Sequence, residues 1–121
     1  MINHKLVLPG HLNHYGFLFG GYLLQWVDEY SYITANLDFP GNRFVTIALD
    51  NVTFRESIRL GSVLRFDINR IKKGKTSATY NAQVFSDSIE SGGTSGEALV
   101  FETNITFVNV DAGGKKQPIK E

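Results

Sequence analysis

The chain has 121 residues and a formal net charge of zero, because its 12 Lys and Arg balance its 12 Asp and Glu. This balance offers no general attraction to nucleic acid, and the absence of cysteine excludes disulfides and thiolate chemistry. The length predicts one domain, residues 1–121, with a composition ordinary for a globular protein.

The first third of the chain predicts a short strand, a loop and one long helix. Residues 3–8 form the predicted strand, which Pro9 ends. A loop follows through Leu18. From residue 20 to about residue 37, apolar side chains recur with the spacing of one helix face. The turn-forming residues 38–42 end this helix.

The next segment alternates with a period of two, which is typical of a strand. We expect its apolar and polar side chains to point to opposite faces of a sheet, and a bulge near Asn51 before the strand resumes. One predicted face carries Val45, Ile47 and Leu49, and the other carries Thr46, Ala48 and Asp50.

Three further segments alternate in the same way. They cover residues 64–68, residues 78–84 and about 97 to 110, with a basic turn at 72–75 and a flexible connection at 91–96. The predicted buried face of the last strand carries Leu99, Phe101, Thr103, Ile105 and Phe107. Short connections predict an antiparallel sheet, and one helix covers only one of its faces. The exposed edges favour a dimer, and we expect a mobile tail at about residues 111–121.

The most informative segment is residues 13–28, where a glycine-rich loop enters the helix. The first turn of a helix leaves N–H groups unpaired, and Gly20 and Gly21 carry no side chain to block them. Asp28 follows about two turns further on. The pattern suits a reaction in which negative charge develops on an oxygen, such as attack on an acyl carbonyl.

The two polar candidates of this segment each have a structural interpretation beside the functional one. Asp28 lies next to the apolar helix face, where a carboxylate needs a partner, but it could also be a surface charge like Glu29. Asn13 could orient water or donate to an oxyanion, or it could simply shape the loop.

The segment Gly74–Lys75–Thr76–Ser77 invites comparison with a phosphate-binding loop. The Walker A pattern fails, because Asn69 stands where a glycine is required and the segment opens a strand. The lysines of this turn, Lys72, Lys73 and Lys75, could still hold phosphates, or the turn could be a solvated hairpin tip. His4, His11 and His14 have no metal-site spacing, so no metal site is predicted.

Residues 13–28 resemble the acyl-CoA hydrolase branch of the hotdog-fold thioesterases. That family carries Asn-x-x-Gly, then Gly-Gly, then a helical Asp seven residues after the second Gly. The matching residues here are Asn13, Gly16, Gly20, Gly21 and Asp28, and the similarity continues through residues 43–46, Phe54, 60–62 and 73–77 to about 107–110. One departure is His11, where family members often have Asp.

The resemblance implies an α+β hotdog fold, in which a five- to six-stranded antiparallel sheet wraps a long central helix. It implies an obligate homodimer with composite active sites, often assembled into tetramers or hexamers. The implied reaction is hydrolysis of acyl-CoA to free acid and CoA, with no metal or organic cofactor.

The resemblance also implies roles for individual residues. Asp28 aligns with the catalytic base or nucleophile, and Asn13 aligns with an Asn that acts across the dimer interface. Gly20 and Gly21 fall where the family presents backbone N–H groups to the thioester oxygen. CoA is commonly held at the positions of Gly74, Lys75, Thr76 and Ser77.

Two other functions remain open at this point. A hydratase or dehydratase on the same fold would pair a His with an acid on the helix or its loop. His14 lies in the loop, but no His lies within the helix beside Asp28. A non-catalytic acyl-CoA-binding protein is the other. Without an apolar membrane-spanning run or a signal peptide, we expect a cytoplasmic protein with no membrane partner.

Overall fold

The computed structural model of the protein describes residues 1–87 and 97–121. Its elements are β1 (Ile2–Leu6), a 3-10 turn (Pro9–His11), α1 (Gly20–Asp38), β2 (Phe44–Phe54), β3 (Val63–Lys73), β4 (Ser77–Asp87) and β5 (Glu97–Asn109). The strands form one antiparallel sheet in the order β1-β3-β4-β5-β2. The α+β class, the long helix and the antiparallel sheet are therefore confirmed. The connection expected at 91–96 lies outside the described residues.

The core lies between α1 and one face of the sheet. The helix contributes a stripe of small and medium side chains spaced by about one turn, among them Leu23, Val27 and Ala35, each at most 1% exposed. The sheet contributes large rings, including Phe66 and Phe101, which are fully buried. The helix begins at the predicted residue and ends one residue later than predicted. No helix in residues 1–87 and 97–121 has the length and apolarity needed to cross a bilayer.

The C-terminal end of α1 is tied to β4 by a buried tyrosine. Tyr80 has no exposed surface, and its hydroxyl donates a 2.7 Å hydrogen bond to Asp38 Oδ2. Burial, and then this bond to the carboxylate, raise the pKa of Tyr80 well above the usual value for tyrosine. The pair therefore keeps its proton on the phenol and anchors the last residue of the helix.

The predicted alternation of β2 is wrong, because two irregularities interrupt its pairing with β5. The register shifts between Thr46 and Ala48 and again between Asp50 and Thr53. Each bulge adds an unpaired residue and moves the following side chains to the other face. Leu49, which follows the first bulge, consequently packs against the core, whereas Val45, predicted on the same face, is 42% exposed. Thr46, the neighbour of Val45, lies on the side that faces α1. The second irregularity matches the predicted bulge, and Asn51 adopts a left-handed φ of 56° there.

A bulge also changes the predicted face of β5. Phe101 pairs with Val84, but Phe85 pairs with Leu99, so Val100 is the extra residue. Val100 is buried, whereas Leu99 is only half-buried. The predicted buried series therefore holds from Phe101 onward and fails at Leu99.

The tail expected to be mobile is instead packed against the sheet. Ile119 is 8% exposed, and its N–H donates to the carbonyl of Lys75 at 2.9 Å. The fully buried Asn109 donates from its side chain to the carbonyl of Pro118 at 2.9 Å, and accepts the N–H of Arg43 at 2.8 Å. The polar, glycine-rich sequence gives no sign of this packing, because Ile119 contacts a residue, Lys75, that lies far from it in the chain.

Candidate active site

The loop before α1 is organised by the side chain of Asn13. Its Oδ1 accepts the N–H groups of Tyr15 at 2.9 Å and Phe17 at 3.1 Å, and its own N–H donates to the carbonyl of Phe17 at 2.7 Å. Gly16 makes the reversal possible with a φ of 87°. Since the amide oxygen serves two loop N–H groups, the side chain offers a ligand its Nδ2 hydrogens rather than its oxygen.

The start of α1 is an uncapped helix N-terminus. The N-cap residue Phe19 makes no side-chain cap, and the first turn contains no acidic residue. The N–H groups of Gly20 and Gly21 therefore lie in a first turn that carries partial positive charge. This is the anion-tolerant position that the sequence predicts.

Two aromatic rings use the space that the glycines leave. A Cβ on Gly20 would lie 3.4 Å from Cε1 of Phe54, and one on Gly21 would lie 2.8 Å from Cε1 of Phe19. The glycines thus permit close ring packing as well as access for a ligand. The sequence predicts only the second role.

A cavity of about 650 Å³ opens beside this helix end. Its lining includes Asn13 and Gly20 together with the ring of Phe54. The other lining residues are Tyr15, Phe17, Leu18, Leu23, Arg55, Glu56, Ser57 and Ile58. A second cavity of about 420 Å³ adjoins it and shares the three residues 56–58. The structure therefore brings two of the predicted site residues, Asn13 and Gly20, to one concave surface.

The carboxylate of Asp28 lies further along the helix, on the side that faces β2. Asp28 is half-buried, and its Oδ1 accepts a 2.7 Å hydrogen bond from Oγ1 of Thr46. The bond fixes one carboxylate oxygen and leaves Oδ2 for a ligand. Glu29 is exposed, in keeping with a surface charge. The sequence gives no clear sign of Thr46, because alternation alone does not show which of its two faces the helix covers.

Asp28 does not line the cavity at Gly20 within one protomer. Asp28 follows Gly20 by eight positions in the helix, which is roughly 12 Å along the axis at 1.5 Å per residue. The structure therefore presents two separate polar features along one helix: an uncapped N-terminus beside Asn13, and a carboxylate held by Thr46.

The predicted CoA-binding turn lies at the opposite end of the protomer. Gly74 N–H donates to the carbonyl of Ser77 at 2.8 Å, which closes a two-residue hairpin at Lys75 and Thr76. The carbonyls of both loop residues accept N–H groups from the C-terminal region, from Ile119 and Asn109, each at 2.9 Å. This end also holds the C-terminus of α1. Within one protomer the turn and the Gly20 cavity are not brought together.

His11 connects the loop, the helix and the segment after β1. Its Nδ1 accepts the N–H of Leu8 at 3.0 Å, and its carbonyl accepts the N–H of Phe19 at 2.9 Å. The ring stands edge-on to Trp26, with centroids 4.9 Å apart. The imidazole thus accepts a backbone hydrogen bond and packs on the helix. In the described parts of the chain, no group of three His, Asp or Glu side chains is arranged to hold a metal ion.

Comparison with known proteins gives a consistent result. The family model of the Thioesterase superfamily matches residues 15–93. The acyl-CoA thioester hydrolase YciA of Salmonella typhimurium is 27% identical over 98% of this chain and 89% of its own length.

Solved structures of relatives share the fold. Cj0915, a hexameric hotdog fold thioesterase of Campylobacter jejuni, is 29% identical with a TM-score of 0.86, over 98% of this chain and 88% of that one. An acyl-CoA hydrolase from Staphylococcus aureus, in complex with butyryl-CoA and CoA, is 28% identical with a TM-score of 0.86, over 99% of this chain and 71% of that one. The S. aureus enzyme has also been solved as an aspartate-to-alanine and a threonine-to-alanine variant. The predicted hotdog fold is confirmed.

Proposed function

This chain belongs to the thioesterase superfamily, and from that membership we propose that it hydrolyses acyl-CoA to a free carboxylic acid and CoA. The observation that carries the proposal is one helix with two matched features. Its uncapped N-terminus opens into a cavity beside Asn13, and its carboxylate Asp28 is held by a hydroxyl from the sheet. Relatives named as acyl-CoA hydrolases over nearly the whole chain support the choice of substrate.

The N–H groups of Gly20 and Gly21 stabilise the oxyanion of the tetrahedral intermediate. Attack on a thioester moves negative charge onto the carbonyl oxygen, and preorganised N–H donors act where that charge develops. The partial positive charge of the helix N-terminus adds to this effect. Asn13 supports the same step as a donor, because its oxygen is committed to the N–H groups of Tyr15 and Phe17.

Asp28 activates the nucleophile. As a general base it takes a proton from water, and as a nucleophile it forms an anhydride that water then hydrolyses. Either role uses Oδ2, since Oδ1 accepts the hydroxyl of Thr46. The S. aureus variants replace the same two residue types, which supports the pairing of a carboxylate with a threonine.

A homodimer completes the site. Among the described residues no strand pairs with the outer side of the edge strand β2, and Val45 and Ile47 on this strand are 42% and 54% exposed. Antiparallel pairing of β2 with its copy about a two-fold axis near Asp50 would set the partner subunit's Thr46 opposite Phe54. The partner subunit's Asp28 would then lie at the Gly20 cavity. The dimer would thus bring together two groups that are far apart within one protomer.

A larger assembly accommodates the rest of CoA. The turn formed by Gly74, Lys75, Thr76 and Ser77 lies far from its own cavity, so any contact with CoA phosphates comes from a neighbouring protomer. The hexameric state given for Cj0915 supports an assembly of three such dimers. The reaction needs no metal or organic cofactor, because the helix dipole and Asp28 supply the electrophilic and basic groups.

The decisive test is release of free CoA from a panel of short, medium, long and aromatic acyl-CoAs. Asp28→Asn should lose most of the turnover of wild type while keeping its fold and oligomeric state. Glu29→Gln is the matched control, since it neutralises the adjacent, exposed carboxylate and should turn over normally.

Three results would contradict the proposal. Equal turnover by Asp28→Asn would remove Asp28 from the chemistry. Hydration of an enoyl-CoA without CoA release would indicate a hydratase. Tight binding of acyl-CoA by wild type, with no turnover of any acyl-CoA in the panel, would indicate a binding protein.

A further inference from the structure

We propose that Phe54 sets the size of the acyl group that the site accepts, an inference that rests on the proposed thioesterase function. The residue has no part in the chemistry of hydrolysis. Its position at the end of β2 nevertheless places an aromatic ring directly against the first residue of α1.

The ring lies beside the helix end whose N–H groups would bind the thioester oxygen. Its Cε1 and Cζ atoms lie 3.4 and 3.5 Å from the position of a Cβ on Gly20, which is ordinary van der Waals contact. The same ring lines the 650 Å³ cavity with Asn13. An acyl group whose carbonyl faces the N–H of Gly20 therefore has its first carbon atoms beside Phe54.

Within one protomer, one side of the ring is supported and the other is exposed. Phe54 packs edge-to-face on Phe101, with centroids 4.8 Å apart. Phe101 is fully buried in the core, so it holds the Phe54 ring in position on the side that faces the core. Phe54 itself is 51% exposed. Apolar surface of this kind is available to pack against a ligand.

The polarity of the cavity decides which part of the substrate meets the ring. The lining combines apolar residues, among them Leu23 and Ile58, with the polar residues Glu56 and Ser57, and residues 56–58 also line the adjoining 420 Å³ cavity. Because an acyl chain packs on apolar surface, we infer that it lies against the ring of Phe54, while the amide-rich pantetheine arm meets the polar groups of the lining.

The test is the acyl-chain preference of variants that change the ring in opposite directions. We measure kcat/KM of wild type, Phe54→Ala and Phe54→Trp with butyryl-, octanoyl- and dodecanoyl-CoA. Phe54→Ala should raise the ratio of dodecanoyl to butyryl turnover by about tenfold or more, and Phe54→Trp should lower it. Differences of one or a few methylenes in an apolar pocket give discrimination of this order.

Phe19→Ala is the matched control. Phe19 is exposed to a similar extent, 54%, and packs on Gly21 at the same helix end, but it is not among the residues that line the cavity. Its removal should leave the chain-length ratio unchanged, even if overall turnover falls. Phe54→Leu, with intermediate bulk, replaces Phe54→Ala if the latter fails to fold, and the thermal midpoint of each variant checks folding.

The outcomes separate this inference from the function it rests on. Wild-type turnover with equal chain-length ratios in all Phe54 variants would overturn the role of Phe54 alone. A ratio that shifts equally in Phe19→Ala would also overturn it. No wild-type turnover on any acyl-CoA would instead overturn the proposed function.

Discussion

Thr46 Oγ1 donates a 2.7 Å hydrogen bond to Oδ1 of Asp28, and this bond joins the edge strand β2 to the central helix. The hydroxyl fixes the rotamer of the carboxylate and occupies one of its oxygens. The geometry of Asp28 therefore depends on the strand that also forms the proposed dimer contact.

Thr46→Val should lower kcat by about 10- to 100-fold with little change in folding. Hydrogen bonds to charged groups contribute about 1.5–3 kcal/mol, and losing one leaves the carboxylate free to turn away from the substrate. Steady-state kinetics with the best acyl-CoA would measure the effect. Thr46→Ser keeps the hydroxyl and should retain most activity, and equal losses in both variants would show that the methyl group matters instead.

Asn13→Asp should separate the structural and chemical roles of that side chain. An aspartate can still accept the N–H groups of Tyr15 and Phe17, but it lacks the Nδ2 hydrogens. We expect a thermal midpoint close to that of wild type with a large loss of kcat. Asn13→Ala should lower both the thermal midpoint and kcat, because it also leaves the two loop N–H groups without their acceptor. A fully active Asn13→Asp would show that the residue only shapes the loop.

Mixing two inactive variants should restore part of the turnover if the active site is composite. Asp28→Asn and Asn13→Asp, unfolded together and refolded, form heterodimers in which one of the two sites has both wild-type residues. CoA release by the mixture, compared with each variant refolded alone, measures the recovery. Mixtures that form heterodimers yet stay inactive would place both residues in a site formed by one protomer.

Tyr80 should make the protein less stable at high pH. Burial and the bond to Asp38 raise its pKa in the folded state above the usual 10, so the folded protein keeps a proton that the unfolded chain releases. Its stabilising contribution is complete below about pH 10 and falls by about 1.4 kcal/mol for each further pH unit.

Urea unfolding of wild type and Tyr80→Phe between about pH 8 and 11 would measure this contribution. The wild type should be the more stable at pH 8, and the difference should shrink above pH 10. A constant difference across this range would show that Tyr80 titrates alike in the folded and unfolded chain.

Local periodicity predicts most of the fold because helix and strands bury their faces at regular intervals. The start of α1 at Gly20 and the hairpin turn at Lys75 follow from this spacing. Bulges break it, since one extra residue moves every later side chain to the other face. The placement of Leu49 opposite to Val45 and the displacement of Leu99 both have this origin.

The site could be predicted only in part for a related reason. Asn13, Gly20 and Asp28 lie on one continuous segment, so their spacing is visible in the sequence. Thr46 and Phe54 come to the helix through the path of β2, which long-range pairing with β5 decides. The contact that buries Ile119 on the hairpin at Lys75 is equally distant in the chain.

The irregular spacing of β2 also bears on how the protein avoids aggregation. An open edge strand with exposed apolar side chains is a template on which foreign or misfolded strands can grow. The interruptions near Ile47 and Asn51 shorten each regular stretch, so an evenly spaced strand can add only a few hydrogen bonds before its register fails. An identical chain that approaches about a two-fold axis carries the same interruptions in reverse order. The strand can thus pair with the same strand of a second copy, while it is a poor template for the growth of fibres.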